Sequence, residues 1–237
     1  MLEPRFDFDP TSMATEAKIE RDGYLLSGEK VYVPFAAEAR EMIVYANLGA
    51  TQGFIVPLNR EGVKVEDRQS LMGIRSLPVY KVILDKVHVP GPDRLGAPDG
   101  HDFSLILDSL RVANAALGIG LSRSAFEYSR DYAKEREAFG MKIAQKQAIA
   151  FMLAEMATEI EAIRLLTWEA AWMIDCQKPD ASKYAYLAST GAIDMAMTVT
   201  DRAVQILGGH GYIREHPVEL LMRNGRGIAT FTGLSMV

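Results

Sequence analysis

The sequence predicts an α+β fold in which an antiparallel β-barrel or β-sandwich domain precedes an up-down helical bundle of the four-helix type. Three observations predict it: short runs rich in Val, Ile and Tyr before residue 90, a Pro- and Gly-rich cluster at 90–100, and a helical period of apolar residues beyond it. We therefore expect a β domain at 1–97 and a helical domain at 98–237. The chain of 237 residues is long enough to give two modest domains their own cores.

Six short strands are predicted in the β domain. Turn signals at Arg21-Asp22-Gly23 and at 59–62 separate them, and Pro90-Gly91-Pro92 follows the last one. No helical pattern lies between the strands, which favours an antiparallel barrel or sandwich. The predicted strands cover 14–21, 24–34, 41–47, 53–57, 62–67 and 80–89.

Four helices are predicted in the second domain. Apolar positions recur at i, i+3, i+4 and i+7, and Lys178-Pro179-Asp180 separates two of the helices. Long helices with short connections are typical of a bundle. The predicted helices cover 101–135, 145–177 and 181–207, and a fourth begins near His216-Pro217, where Pro suits a first turn.

The composition is that of an ordinary globular protein. The net charge is −5, about half of the residues are apolar, and no acidic or basic block indicates a nucleic acid or a membrane surface as partner. No apolar run approaches the roughly 18–20 residues that span a bilayer, and the N-terminus lacks the pattern of a signal peptide. The single cysteine, Cys176, leaves no disulfide and no metal-ligand cluster. We expect a cytoplasmic protein with no metal.

The last thirty-odd residues carry the most specific pattern. QILGGHGY at 205–212 is followed by PVE at 217–219 and MRN at 222–224. These motifs resemble the C-terminal domain of the acyl-CoA dehydrogenases, and the domain order resembles the middle and C-terminal domains of that family, over nearly the whole chain. The family's N-terminal helical domain is expected to be absent, and the last helix short or missing. The resemblance implies FAD, an acyl-CoA substrate, α,β-dehydrogenation, and a homodimer or homotetramer built through the bundle.

One motif resembles a family signature that contacts the FAD of a neighbouring subunit. It runs from Arg136 through Phe139 to Gln147. A guanidinium at a helix end can hold a diphosphate with two parallel hydrogen bonds. The alternative interpretation is a solvated Arg136 with Phe139 as an ordinary core anchor.

A second motif resembles the family's other contact with that cofactor. It consists of Gln205 together with Gly208 and Gly209. Glycine has no Cβ, so the backbone here can approach a phosphate or an adenine closely. The alternative is a plain helix C-cap at Gly208.

The stretch GEKVYVP at 28–34 resembles the strand that covers the flavin ring in the family. Tyr32 can supply the stacking surface. Pro34 stands where the family has a Ser or Thr, and it can donate no hydrogen bond to a flavin. The alternative is a simple strand that enters a turn.

No residue is assigned as the catalytic base. Thr232 stands where the family's E-G-T or E-G-L tripeptide carries its Glu, and a hydroxyl cannot act as a base near neutral pH. Some family members carry their Glu on the first bundle helix just before an Arg, and here Leu110 precedes Arg111, which we expect to support the site. Asp108 lies three residues before Arg111, either as a structural ion pair or as a substitute base.

Three hypotheses follow. The chain dehydrogenates acyl-CoA with a partner or a missing domain that completes the site. Alternatively, it is a non-catalytic partner subunit or degenerate paralogue that stabilises an active family member in a hetero-oligomer. The third hypothesis is a truncated product that keeps the fold and has lost the cofactor.

Overall fold

The computed structural model describes residues 2–232, with side chains up to residue 230. The described residues divide into two compact units. One, the β unit, comprises 2–71 and 75–103; the other, the helical unit, comprises 72–74 and 104–232. The predicted α+β class, a sheet domain followed by a helical domain, is confirmed.

The β unit contains one six-stranded sheet in the order β4-β3-β1-β2-β6-β5. All neighbours are antiparallel except β1 and β3, which pair in parallel at Glu16 and Asn47. The sheet is therefore mixed and not purely antiparallel. The reason is the connection after Pro34, which takes the chain to the far side of β1 and reverses its direction. The strands are β1 Glu16–Glu20, β2 Gly23–Pro34, β3 Glu41–Asn47, β4 Thr51–Pro57, β5 Val63–Arg68 and β6 Val79–Pro90.

The sheet curls around one apolar core. After β6, a 3₁₀ turn at Gly91–Asp93 brings the chain back to β4, where the Leu95 N–H donates to the Gly53 carbonyl at 2.9 Å. Each fully buried Val or Leu is worth about 1.5–3 kcal/mol relative to an exposed one, so this core holds the curl together. Its completely buried side chains are Leu26, Ala46, Phe54, Val56, Val82, Val87 and Val89.

The helical unit is built around one helix of small residues. Ala185, Ala188, Ala192 and Ala196 of that helix are fully buried, and a Cβ added at Gly118 would lie 3.3 Å from the Ala192 carbonyl. Small side chains allow such close packing. The helices are α1 Phe103–Glu135, α2 Gln147–Asp175, α3 Ala181–Leu207, α4 Gly209–Tyr212 and α5 Val218–Ile228.

Residues 72–74 belong to the helical unit although they lie between β5 and β6 in the chain. The Arg223 guanidinium donates to the Met72 carbonyl at 3.0 Å, and the Ile74 N–H donates to the Asn224 side chain at 2.7 Å. A Cβ at Gly73 would lie 2.0 Å from the Arg223 carbonyl, so only glycine fits there. This three-residue segment is fixed on α5.

Helix α1 is, within the described part of the chain, the one helix long and apolar enough to cross a membrane. An 18-residue window reaches a mean hydropathy of 1.3, and 28% of that window is buried. No unbroken apolar run of that length is present in the sequence, because Asp108, Arg111 and Asn114 interrupt it. Ala115 and Ala125 belong to the core cluster of the helical unit, so α1 contributes part of its apolar surface to that core.

Candidate functional site

A buried ion pair fixes the start of the chain in the β unit. Lys30 Nζ lies 2.7 Å from Glu3 Oε1, and both side chains are 2% exposed. The same carboxylate accepts hydrogen bonds from the Thr15 N–H and hydroxyl and from the Ala14 N–H. Burial raises the pKa of Glu3, but the Lys30 charge and these hydrogen bonds outweigh it and leave the pKa below the usual value. Burial lowers the pKa of Lys30 to about 8 against the opposing effect of Glu3.

Tyr32 lies on a strained bulge next to this pair. Its φ is 52°, in the left-handed region that a bulky residue rarely adopts, and the register of β2 against β6 shifts between Lys30 and Val33. The Tyr32 N–H, which the bulge takes out of the strand ladder, donates to Gln69 Oε1 at 3.1 Å. The Tyr32 side chain is half-buried, and Pro34 at the end of the strand is exposed. Strain of this kind costs about 1–3 kcal/mol and is typical of functional sites.

A short hairpin in the helical unit exposes an aromatic ring. Strands β7 Glu137–Ala138 and β8 Met141–Lys142 are joined by Phe139 and Gly140, whose φ angles of 55° and 79° are those of a type I′ turn. The Phe139 side chain is 93% exposed, so its interpretation as a core anchor is wrong. Among the described residues, the Lys146 ammonium lies over this ring, 5.0 Å from its centre.

Arg136, Gly208 and Gly209 line one groove of about 330 Å³, which we call the glycine groove. Helix α3 ends at Leu207, and Gly208 follows with φ 57° and ψ −128°, a conformation that favours glycine. A Cβ added at Gly208 or Gly209 would meet nothing within 4 Å, so the groove is open above this backbone. The exposed guanidinium of Arg136 forms no hydrogen bond or ion pair with the other described residues, whereas its backbone bonds to Tyr132 and Ile143. Gln205 and Gln147 are exposed and do not line the groove.

Two histidines and two tyrosines form an array beside Arg136, which we call the His–Tyr array. The Tyr128 hydroxyl lies 2.7 Å from His216 Nδ1, and the Tyr132 hydroxyl lies 2.8 Å from His210 Nδ1. The two imidazoles are stacked, with ring centres 5.2 Å apart and planes at 14°. Sequence reasoning assigned no role to Tyr128, Tyr132 and His216. The spacing of Tyr128, Tyr132 and Arg136 by four residues, which puts them on one face of α1, was the available signal.

Asp108 forms a structural bridge between α1 and α3. It accepts a hydrogen bond from Arg111 at 3.0 Å and another from the Ser182 hydroxyl of α3, and it is buried. Both carboxylate oxygens are therefore occupied, which favours the structural ion pair over a base. Leu110 is 50% exposed. The Thr232 side chain, and residues 233 and 234 of the same tripeptide, lie outside the described residues.

No group of three His, Cys, Asp or Glu side chains that could hold a metal ion occurs among residues whose side chains the structure describes. Glu219, on α5, forms two hydrogen bonds with Arg223 at 2.8 and 3.1 Å. The Arg223 guanidinium holds the pKa of that carboxyl below its usual range. Glu219 thus supports the fold of α5.

Family models match both parts of the chain. Residues 103–237 match the model described as acyl-CoA dehydrogenase, C-terminal domain, and residues 1–87 match the acyl-CoA dehydrogenase middle domain. Both motifs of the helical unit, the hairpin that follows Arg136 and the glycines at 208 and 209, fall within the first match.

Individual relatives are similar over the whole length of this chain. It is 36% identical to the caffeyl-CoA reductase-Etf complex subunit CarC of Acetobacterium woodii, over 100% of the chain and 64% of that protein. It is 33% identical to the mitochondrial short-chain specific acyl-CoA dehydrogenase of Bos taurus, over 100% of the chain and 59% of that protein. The solved butyryl-CoA dehydrogenase of Megasphaera elsdenii matches with a TM-score of 0.83 and 31% identity, over 93% of this chain and 60% of that one. The chain thus spans about three fifths of the length of these relatives.

Proposed function

Because this chain belongs to the acyl-CoA dehydrogenase family, we propose that it binds FAD and takes part in the α,β-dehydrogenation of an acyl-CoA thioester. We further propose that it does so in an oligomer, in which the face around Arg136 contacts the cofactor of a neighbouring subunit. Since the chain spans only 59–64% of its relatives, a second subunit or domain completes the site in this proposal.

The exposed hairpin and glycine groove carry this proposal. Phe139 is 93% exposed on a turn that is strained for a bulky side chain, and nothing in the fold of the helical unit requires an aromatic ring there. The Arg136 guanidinium has no partner among the described residues. Such a group can bind a diphosphate in two parallel hydrogen bonds. The backbone at Gly208 and Gly209 is open to close approach. These features fit the diphosphate and adenine side of FAD.

The β unit fits the ring side of the cofactor less fully. FAD, when bound, accepts hydride from the substrate. Tyr32 offers a half-buried aromatic surface, held by Gln69, against which a planar ring can stack. Pro34 can donate no hydrogen bond to that ring. The chain therefore contributes shape on this side and lacks the family's polar contact.

The proton-accepting role has no occupant at either family position. Thr232 carries a hydroxyl and Leu110 an apolar side chain, and neither can take the α-proton of a thioester. The Asp108 carboxylate is committed to Arg111 and Ser182. These residues favour the second candidate function, a non-catalytic subunit or degenerate paralogue that lends the Arg136 face to an active relative. One relative is a subunit of a caffeyl-CoA reductase-Etf complex, which supports an assembly of this kind.

FAD binding tests the first part of the proposal. We expect the purified chain to be oligomeric in light scattering and to bind FAD, with flavin absorbance near ~450 nm. Arg136→Ala removes hydrogen bonds to a charged group worth about 1.5–3 kcal/mol and should weaken FAD binding about 10- to 100-fold. Arg123→Ala is the matched control, because Arg123 pairs with Glu127 on the same helix. Arg123 lines neither the glycine groove nor the adjoining groove at Tyr128 and His216. Equal FAD affinity in the two variants would contradict a cofactor role for Arg136.

Thr232→Glu separates the enzyme from the non-catalytic partner. In a flavin-loaded protein with an otherwise competent site, this change should create or raise bleaching of the flavin by butyryl-CoA, the probe that the similarity to a butyryl-CoA dehydrogenase suggests. Thr232→Gln is the matched control, since it has similar size and no basic carboxylate. If butyryl-CoA bleaches the flavin of neither variant, the result favours the non-catalytic partner role.

A further inference from the structure

The His–Tyr array lines a second groove that shares Arg136 with the glycine groove. This groove has a volume of about 510 Å³ and is lined by Tyr128, Tyr132, His210, His216, Arg136, Asp131 and Glu135. His210 and Tyr132 also line the glycine groove, so the two grooves are continuous at these residues. The array therefore lies directly beside the position that we propose for a diphosphate, and the inference below rests on that proposed function.

The charges of this groove do not favour an anion while the imidazoles are neutral. One guanidinium, that of Arg136, faces the two carboxylates of Asp131 and Glu135. Asp131 is paired with Arg130 at 2.8 Å, and Glu135 is exposed. Arg214 and Glu215, exposed next to His216 in the chain, do not line the groove. A diphosphate at Arg136 thus meets nearby negative charge that a single positive charge on an imidazole would offset.

The geometry of the array suits the uptake of one proton. Each Nδ1 lies beside a tyrosine hydroxyl, which can donate to a neutral imidazole and can turn to accept from an imidazolium. Two positive charges 5.2 Å apart would repel each other by about 3 kcal/mol at an effective dielectric constant of ~20. The stacked pair therefore takes up the first proton much more readily than the second.

We infer that the His210–His216 pair is a proton-dependent extension of the Arg136 anion site. With one proton on the pair, the groove binds the diphosphate diester of a dinucleotide more tightly; without it, the carboxylates of Asp131 and Glu135 weaken that binding. Because the proton supplies the positive charge that offsets the carboxylates, affinity falls as the pH rises. The effect is expected to be about tenfold between about pH 6 and about pH 8, equivalent to about 1.4 kcal/mol.

The experiment is a calorimetric titration of the full chain with ADP-ribose, whose diphosphate diester does not itself titrate in this pH range, and with adenosine, which has no phosphate. The double variant His210→Gln/His216→Gln keeps hydrogen-bond acceptors for Tyr132 and Tyr128, and neither of its new side chains can be protonated. His88→Gln is the matched control, because His88 lies on β6 of the β unit, 3.0 Å from Asp22. Circular dichroism checks that each variant folds, and Tyr128→Phe, which frees His216, is a second variant. The four histidines of the chain allow each proton uptake to be followed by NMR.

Tighter binding of ADP-ribose at about pH 6 in the wild type and in His88→Gln, with no pH dependence in His210→Gln/His216→Gln and less in Tyr128→Phe, would support the inference. Adenosine should show no dependence. Binding of ADP-ribose with equal affinity at both pH values, or a dependence that survives in His210→Gln/His216→Gln, would overturn the inference and leave the proposed FAD site standing. No binding of ADP-ribose or FAD at either pH would overturn both.

Discussion

The polar side chains around Tyr32 are buried and paired, whereas the Arg136 side chain is exposed. In the β unit, Glu3 and Lys30 are buried and paired at 2.7 Å, and Gln69 accepts the Tyr32 N–H, which lies outside the strand ladder at the bulge. In the helical unit, Arg136 is exposed without a described partner and Phe139 is 93% exposed. The first region satisfies its polar groups internally, whereas the second leaves the Arg136 guanidinium exposed, as the cofactor contact that we propose requires.

The two regions also differ in what supports their strained backbone. Strain at Tyr32 persists because neighbouring residues of the same unit hold it, so the bulge is a finished structure. Strain at Phe139 has no such support, because its side chain is 93% exposed. The cofactor contact that we propose for this ring would explain why the strain is retained. Substitutions at the two regions should therefore affect different properties: stability in the first, assembly and cofactor binding in the second.

The largest effect is expected from Lys30→Met. This change leaves the Glu3 carboxylate buried without its counter-charge and should lower the free energy of unfolding by about 3–5 kcal/mol. Urea denaturation followed by circular dichroism measures the loss. The double variant Glu3→Gln/Lys30→Met removes the orphaned charge as well and should be less destabilised than Lys30→Met alone. A single variant as stable as the wild type would mean that the pair is not needed to hold the start of the chain.

A smaller effect on stability is expected from Gln69→Leu. The Tyr32 N–H loses its acceptor, and because the group is only partly buried the expected cost is about 1 kcal/mol. Amide hydrogen exchange at Tyr32 should accelerate in parallel, which reports the bulge directly. Gln69→Glu retains an acceptor oxygen and should keep the protection. Unchanged exchange in Gln69→Leu would show that the bulge holds without this bond.

The smallest effect on stability, and one of opposite sign, is expected from Phe139→Asn. Asn followed by Gly140 is a preferred pair for a type I′ turn, so the hairpin should gain a few tenths of a kcal/mol in thermal unfolding. The same change removes the exposed ring and should weaken FAD binding and oligomerisation. Ile19→Asn, at another exposed apolar position (77%) in the β unit, is the control and should leave both intact. A Phe139→Asn protein that assembles normally would erase the distinction between the two regions.

The local elements could be predicted from the sequence because local signals determine them. Helix α3 begins at Ala181 and ends at Leu207 as predicted, between Lys178-Pro179-Asp180 and the glycines that follow. Strand β3 likewise has its predicted bounds, 41–47. Turn residues and a change of apolar period are enough to fix such ends.

The contacts across the chain could not be predicted. Tyr128 and His216 are 88 residues apart, and Tyr132 and His210 are 78 apart, so no spacing in the sequence brings them together. The parallel contact of β1 with β3 depends on the path of the connection after Pro34 and has no local signal. Lys30 lies within the stretch GEKVYVP, but the sequence did not show that it pairs with Glu3.

The segment at 72–74 limits how this protein can be divided. Met72, Gly73 and Ile74 are bonded to or packed against Arg223 and Asn224 of α5, yet they stand thirty residues before the first helix in the chain. A fragment that begins at residue 104 would leave the Asn224 amide and the Arg223 guanidinium without these partners. A deletion at 72–74 within the whole chain would do the same. Expression of the bundle alone therefore calls for a circular permutant or a grafted peptide that restores the contacts of residues 72–74 with α5.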